Sequence, residues 1–244
     1  PVSASDRPFR FCMVTTSYPP YNFGGDGAFV QPLTHALARR GQHVTVLPCA
    51  DAYRISGGTS DQKKDLIHPP NVAVHTLNSS AGMLSPLLTH QLSIPGLKGP
   101  ALKRIIEDND FDVIHFHNVS LIGGAGVLAY GSGIKLYTAH EYWLLCPLST
   151  LWQYKSKPCT TKRCLSCTVD AGIPPQLWRY TGNLSRNLKH LDAMIAPSQF
   201  AIDKHKQMGL DAKFVHLPNF LPLENALSSN DAAILGQPRP FFLI

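Results

Sequence analysis

Two short runs, residues 9–16 (FRFCMVTT) and 43–48 (HVTVLP), are too apolar to leave one face in water. Strands of that kind are stable where both faces are covered, as in a parallel sheet flanked by helices. Between them, Val30, Leu33, Leu37 and Ala38 recur at helical spacing over residues 28–40, and Gly41 follows as a suitable helix terminator. Strand, helix and strand in that order predict a βαβ opening. The predicted fold is therefore α/β, a Rossmann-like doubly wound parallel sheet.

The rest of the chain extends the alternation. Strands are predicted at residues 72–77, 112–116, 135–139, 193–197 and 213–217, and helices at 100–109, 121–130, 177–191 and 198–208. Residues 51–70 read as a loop, and residues 79–99 as a mobile, partly apolar surface element. The predicted organisation is one domain over 1–217 with a Cys-rich insertion at about 146–175. Residues 218–244 are then a linker and the start of a second domain.

Composition narrows the function classes. Hydrophobic residues make up 44% and charged residues 16% of the 244, which allows a sizeable core and excludes general disorder. The net charge of +6 suits phosphate-bearing partners such as nucleotide sugars or anionic lipids. No Lys/Arg run with interleaved aromatics is present, so nucleic acid is not an expected partner. No apolar stretch approaches the roughly 18–20 residues that span a bilayer. Residues 1–10 do not read as a signal peptide, and the missing initiator Met implies a trimmed chain. The expected location is cytoplasmic, with peripheral contact at the inner face of the membrane.

Two local features carry chemistry. The loop Asn22-Phe23-Gly24-Gly25-Asp26-Gly27 leads into a helix start, where glycines let backbone N–H groups approach an anion. A nicotinamide-binding reading, with Asp51 as the ribose acid, lacks the G-x-G-x-x-G spacing and the tight turn. Cys146, Cys159, Cys164 and Cys167 follow the pattern C-x12-C-x4-C-x2-C. Structural zinc, an iron–sulfur cluster, disulfides and free thiols all fit that spacing. Cys12 and Cys49 sit in apolar runs as small core residues.

The order of several pieces resembles the N-terminal half of GT-B glycosyltransferases of family 4. They are Tyr18-Pro19-Pro20 with Gly24-Gly25, Leu37-Ala38-Arg39-Arg40-Gly41, and Phe111-Asp112-Val113-Ile114-His115-Phe116-His117. Thr138-Ala139-His140-Glu141, Ala196-Pro197-Ser198-Gln199-Phe200 and the hinge-like Leu217-Pro218-Asn219 continue the series. The resemblance implies an acceptor-binding domain, a second domain holding a nucleotide sugar, and sugar transfer between them with retention, without a cofactor for the chemistry. The acceptor would be a glycan or a lipid-linked molecule.

It also implies that Gly24 and Gly25 approach the donor and that His140 lies by the transferred sugar. His117, Asn118 and Tyr142 are candidate substrate contacts, while His115 reads as a core residue. Glu141 could act as a base or be a paired loop carboxylate; retaining members are thought to use the donor phosphate instead. Nothing matches the family's Glu-x7-Glu motif, so the chain alone is not expected to be a competent transferase. Arg179, Arg186, Lys189 and His190 could form a basic face toward a membrane or lipid diphosphate, or a plain solvated helix. A non-catalytic binding domain and an NAD(P)-dependent oxidoreductase are the other classes left open.

Overall fold

β1 (Arg10–Val14) and β2 (His43–Leu47) pair in parallel across α1 (Gly25–Arg39), as the apolar runs predict. The computed structural model describes residues 7–22, 25–58 and 66–220. After β2 come α2 (Ala50–Ile55), β3 (Val72–Val74), α3 (Leu84–Leu92), α4 (Gly99–Glu107), β4 (Val113–Phe116) and β5 (Ile134–Thr138). A small antiparallel hairpin, β6 (Trp152–Gln153) with β7 (Lys157–Pro158), precedes α5 (Cys164–Asp170) and α6 (Asn183–Leu188). β8 (Ala193–Ala196), α7 (Gln199–Gln207) and β9 (Phe214–His216) complete the sequence.

The seven-stranded sheet has the order β3-β2-β1-β4-β5-β8-β9, and every pair is parallel. The chain winds outward from β1 to β3, then crosses to β4 and winds the other way. The strand order reverses between β1 and β4, and the crevice beyond the carboxyl ends at such a reversal is where doubly wound sheets take ligands.

Side chains alternate between the two faces of each strand. Cys12 and Val14 of β1 and Ile114 and Phe116 of β4 join Leu102, Ile106 and Leu128 in the larger core. Met13, Val44 and Val46 pack with Val30 of α1 on the opposite face. His115 alternates with Ile114 and Phe116, so the α1 side of β4 carries an imidazole where an aliphatic side chain would be usual. Cys12 and Cys49 are fully buried, as expected of core thiols.

Several predicted elements are corrected. Residues 51–70 contain α2, which the Cys49 thiol caps by accepting from the Ala52 N–H at 3.4 Å. Cysteine is an uncommon cap, so the start was not legible. Residues 79–99, expected as a mobile and partly apolar surface element, contain α3 and a 3₁₀ turn, Gly96–Lys98. The helix predicted at 121–130 is a 3₁₀ segment, Gly124–Ala129, held to Ser93 by the Ala125 and Gly126 N–H groups. The helix predicted at 177–191 is split into a 3₁₀ turn, Leu177–Tyr180, and α6 by Gly182 at φ 72°. Beyond Phe220, the linker and second-domain start expected over 218–244 lie outside the described residues.

Gly27 in the first turn of α1 is needed on steric grounds. A Cβ there would press into the Asn22 side chain and lie 3.1 Å from the Ser17 carbonyl oxygen. At Gly25 an added Cβ meets nothing within 4 Å. Urea denaturation should therefore show Gly27→Ala destabilised by about 1–3 kcal/mol through overpacking. Gly25→Ala should match or slightly exceed the parent; equal stabilities for the two variants would remove the steric account of this turn.

Candidate functional site

The carboxyl ends of β4 and β5 each carry a histidine, fully buried His117 and part-buried His140, and a third, His115, lies within β4 behind them. His115 shares a hydrogen bond with the Thr138 hydroxyl, Nε2 to Oγ1, at 2.7 Å. Its ring stacks on His117 with centroids 4.1 Å apart. His117 Nδ1 meets His140 Nε2 at 3.0 Å, with the two rings stacked at 5.3 Å. Strand alternation puts His115 and His117 on the same face, and the β4–β5 register brings Thr138 and His140 alongside.

The first turn of α1 closes this column. Phe29 packs edge-on against His140 at 5.4 Å between centroids, and the Asp26 carboxylate acts electrostatically on the same imidazole. Phe220, beyond β9, also packs edge-on with Phe29, at 5.5 Å between centroids. The segment leaving the last strand therefore returns to this rim. Gly25 belongs to the same turn; Gly24 lies outside the described residues.

Burial controls the charge of the column. It pushes His115 down to about 3, with His140 adding to the shift. His117 is held well below the usual range by burial and by both neighbouring imidazoles. Burial also lowers His140, against the pull of Asp26. All three are neutral at pH 7, so each offers one ring N–H and one lone pair. His117 Nε2 is buried without a hydrogen-bond partner.

Glu141 follows directly. Burial raises its carboxyl to about 7, with Asp26 adding to the shift. Hydrogen bonds from Ser149 and the Trp143 N–H and the charge of Arg179 act in the opposite direction. Its Oε2 accepts from the Trp143 backbone, so it closes its own turn while remaining close to half-protonated at neutral pH. Arg179 lies across the two tryptophans of this loop, 5.3 Å from the Trp143 ring and 4.6 Å from that of Trp178, and donates to the Trp143 carbonyl at 2.8 Å. It is thus an internal cation beside Glu141 and does not belong to the solvated basic face expected of its segment. Arg186, Lys189 and His190 are exposed.

The remaining candidates are placed differently. Asn118 Oδ1 accepts from the Ser120 N–H and hydroxyl, so its side chain shapes its own loop. Tyr142 packs against His205 of α7 at 5.3 Å, turned to the β8–β9 side of the molecule. Asp51 is fully buried, bonded to Arg54 at 3.1 Å and accepting from the Ser79 N–H at 2.7 Å, with Lys98 at 3.9 Å. It is not available to a ribose, which removes the acid that the nicotinamide reading needed. Cys146, Cys159, Cys164 and Cys167 line one recess, although among the described residues no group of three or more His, Cys, Asp or Glu is set to hold a metal ion. Asp26, Phe29 and Thr138 were not legible as site residues, their only signal being proximity in sequence to a candidate, and Arg179 was read as part of a basic face instead.

Residues 23–225 match the profile of Glycosyltransferase Family 4. A curated relative from Klebsiella pneumoniae, an uncharacterized 42.6 kDa protein in the cps region, is 25% identical over 226 residues. The match covers 89% of this chain and 55% of the relative, so the chain spans about half of that protein's length. Among solved structures, a sucrose-phosphate synthase chain from Thermosynechococcus elongatus aligns with TM-score 0.46 and 13% identity, over 92% of each chain. An E. coli trehalose-6-phosphate structure bound with UDP-2-fluoro glucose aligns with TM-score 0.41 and 13% identity, over 93% of this chain and 53% of that one.

The buried column has a pH signature. Below the usual histidine pKa near 6.5 the unfolded chain binds protons that the native imidazoles refuse, so stability is lost as pH falls. Glu141 acts in the opposite sense between about 4.5 and 7, where the native carboxyl holds a proton that the unfolded one releases. Comparing the parent with His115→Gln isolates one imidazole. Between pH 6 and 4 the parent should lose up to ~1.4 kcal/mol more per pH unit than the variant. Parallel pH profiles would show that His115 is not held neutral.

Proposed function

This chain belongs to glycosyltransferase family 4, and we propose that it is the acceptor-binding half of an enzyme that moves a sugar from a nucleotide-sugar donor to a hydroxyl of a glycan or lipid-linked acceptor, with retention of configuration. The observation that carries this reading is the convergence of the α1 first turn with His117 and His140 at the switch point of a parallel sheet. The cps-region relative supports an acceptor in polysaccharide synthesis.

The chemistry asked of this half is positioning and charge stabilisation. His140 is neutral, so it can donate one hydrogen bond to a sugar or acceptor oxygen without bringing a cation to the site. The bond with His117 fixes its ring plane, as a fixed donor requires. Gly25 sits in open space at the helix start, where its backbone can approach the diphosphate of a donor held by the second domain. Glu141, close to half-protonated at neutral pH, could take the proton of the attacking hydroxyl, with the donor phosphate as the alternative base. No cofactor is needed for these steps.

A membrane contact belongs to the same reading. The buried face of α3 is Ser85, Pro86 and Thr89, whereas Leu84, Leu87, Leu88 and Leu92 are exposed. A helix with its apolar stripe outward needs a covering partner. With a net charge of +6, an anionic lipid surface at the cytoplasmic side fits that partner. Among the described residues no helix is long and apolar enough to cross a membrane.

In the complete protein, His140→Ala should lower kcat/KM for sugar transfer by about a hundredfold, the scale of losing one fixed donor. Gly25→Ala should raise KM for the nucleotide sugar with stability unchanged. Full activity in both variants would refute the assigned site, and an inverted product anomer would refute retention. Separately, vesicles with anionic lipid should sediment the chain, and Leu84→Asp with Leu88→Asp should abolish this. Equal binding by that double variant would exclude α3 as the contact.

A further inference from the structure

The segment between β5 and α6 has little to hold it in place. Its strands β6 and β7 have two residues each, and α5 has seven. Four of the five non-glycine residues with positive φ among the described residues lie here: Ser149 (64°), Leu151 (51°), Tyr154 (50°) and Lys155 (52°). Side chains with a Cβ adopt this conformation only where the surroundings impose it. A hairpin this short imposes little by itself.

What the segment does concentrate is sulfur. Cys146 lies on the loop after β5, Cys159 directly follows β7, and Cys164 and Cys167 occupy the first turn of α5, on one helix face. All four are free thiols lining one recess, with Leu145, Leu148 and Trp152 as its apolar wall. We propose that these four cysteines are the ligands of a single structural zinc ion that ties the hairpin and α5 to the loop carrying Glu141.

The surroundings suit a zinc–thiolate group. Four thiolates around a dication leave two negative charges, and Lys162, Lys204 and Arg179 all act electrostatically on this cluster. Arg179 also donates to the Trp143 and Leu144 carbonyls, so it links the cluster to the turn that Glu141 closes. The thiols do not stand at ligand spacing as they are. Binding would release the thiol protons as the side chains converge on the ion. Four protein sulfurs close the coordination sphere, so the ion would be structural and not catalytic.

The test is metal analysis of the purified reduced chain, followed by exchange into cobalt(II). The expected result is one zinc per chain retained through gel filtration. The cobalt form should show thiolate charge-transfer absorption with the visible bands of a tetrahedral site. Cys164→Ala should lose the metal, and Cys164→His should keep it with a shifted spectrum, since imidazole is also a zinc ligand. The parent spectra need no variant, so a misfolded variant leaves the test intact. A folded chain that takes up neither metal, iron with acid-labile sulfide, or disulfides among these four on non-reducing peptide mapping would each overturn the proposal.

Discussion

Burial of three neutral imidazoles between α1 and the paired ends of β4 and β5 is the constraint from which the site follows. An aliphatic column would pack there at no electrostatic cost, and the other strands under α1 use one. Histidines at these positions must stay uncharged, must bond to one another, and must hold a fixed ring geometry. His115 is anchored by Thr138, His117 sits between its neighbours, and His140 stands where the column reaches the rim. Rigidity is set in the sheet and delivered at the crevice.

The elements around the column serve that end. The strand order reverses between β1 and β4, so the α1 first turn and the histidine loops open on the same side. Phe29 joins His140 to Phe220, which places the exit from the last strand beside the site. A second domain entered through that exit would face the crevice. On the other flank, Glu141 is held by its own turn, and Arg179, lying over two indole rings, acts on it electrostatically.

Much of this was legible in the sequence because strand burial is written directly into composition. The runs around Cys12, Val44, Ile114 and Met194 read as covered strands, and their alternation with helical stretches implied a doubly wound sheet. His140 and the glycine turn were legible through motif order. What was not legible depends on single contacts made across the fold. Cys49 acts as a helix cap, Ser93 draws the segment after β4 into a 3₁₀ turn, and Gly182 divides what reads as one helix. Arg179 looked like a surface cation, but it lies against two tryptophans from different segments. Asn118 and Tyr142 have suitable chemistry in the right stretch, yet local bonding turns one into its loop and packing turns the other toward α7.

The central claim is that the column is neutral and that its outer member meets substrate. Side-chain nitrogen NMR of histidine-labelled complete protein tests both parts at once. His115 and His117 should keep neutral-tautomer shifts down to pH 5, His140 should titrate below the usual 6.5, and the His140 signal should move when a nucleotide sugar is added while His115 stays fixed. A His140 that titrates near 6.5 like a free imidazole, and whose signal ignores every nucleotide sugar and acceptor, would contradict the account.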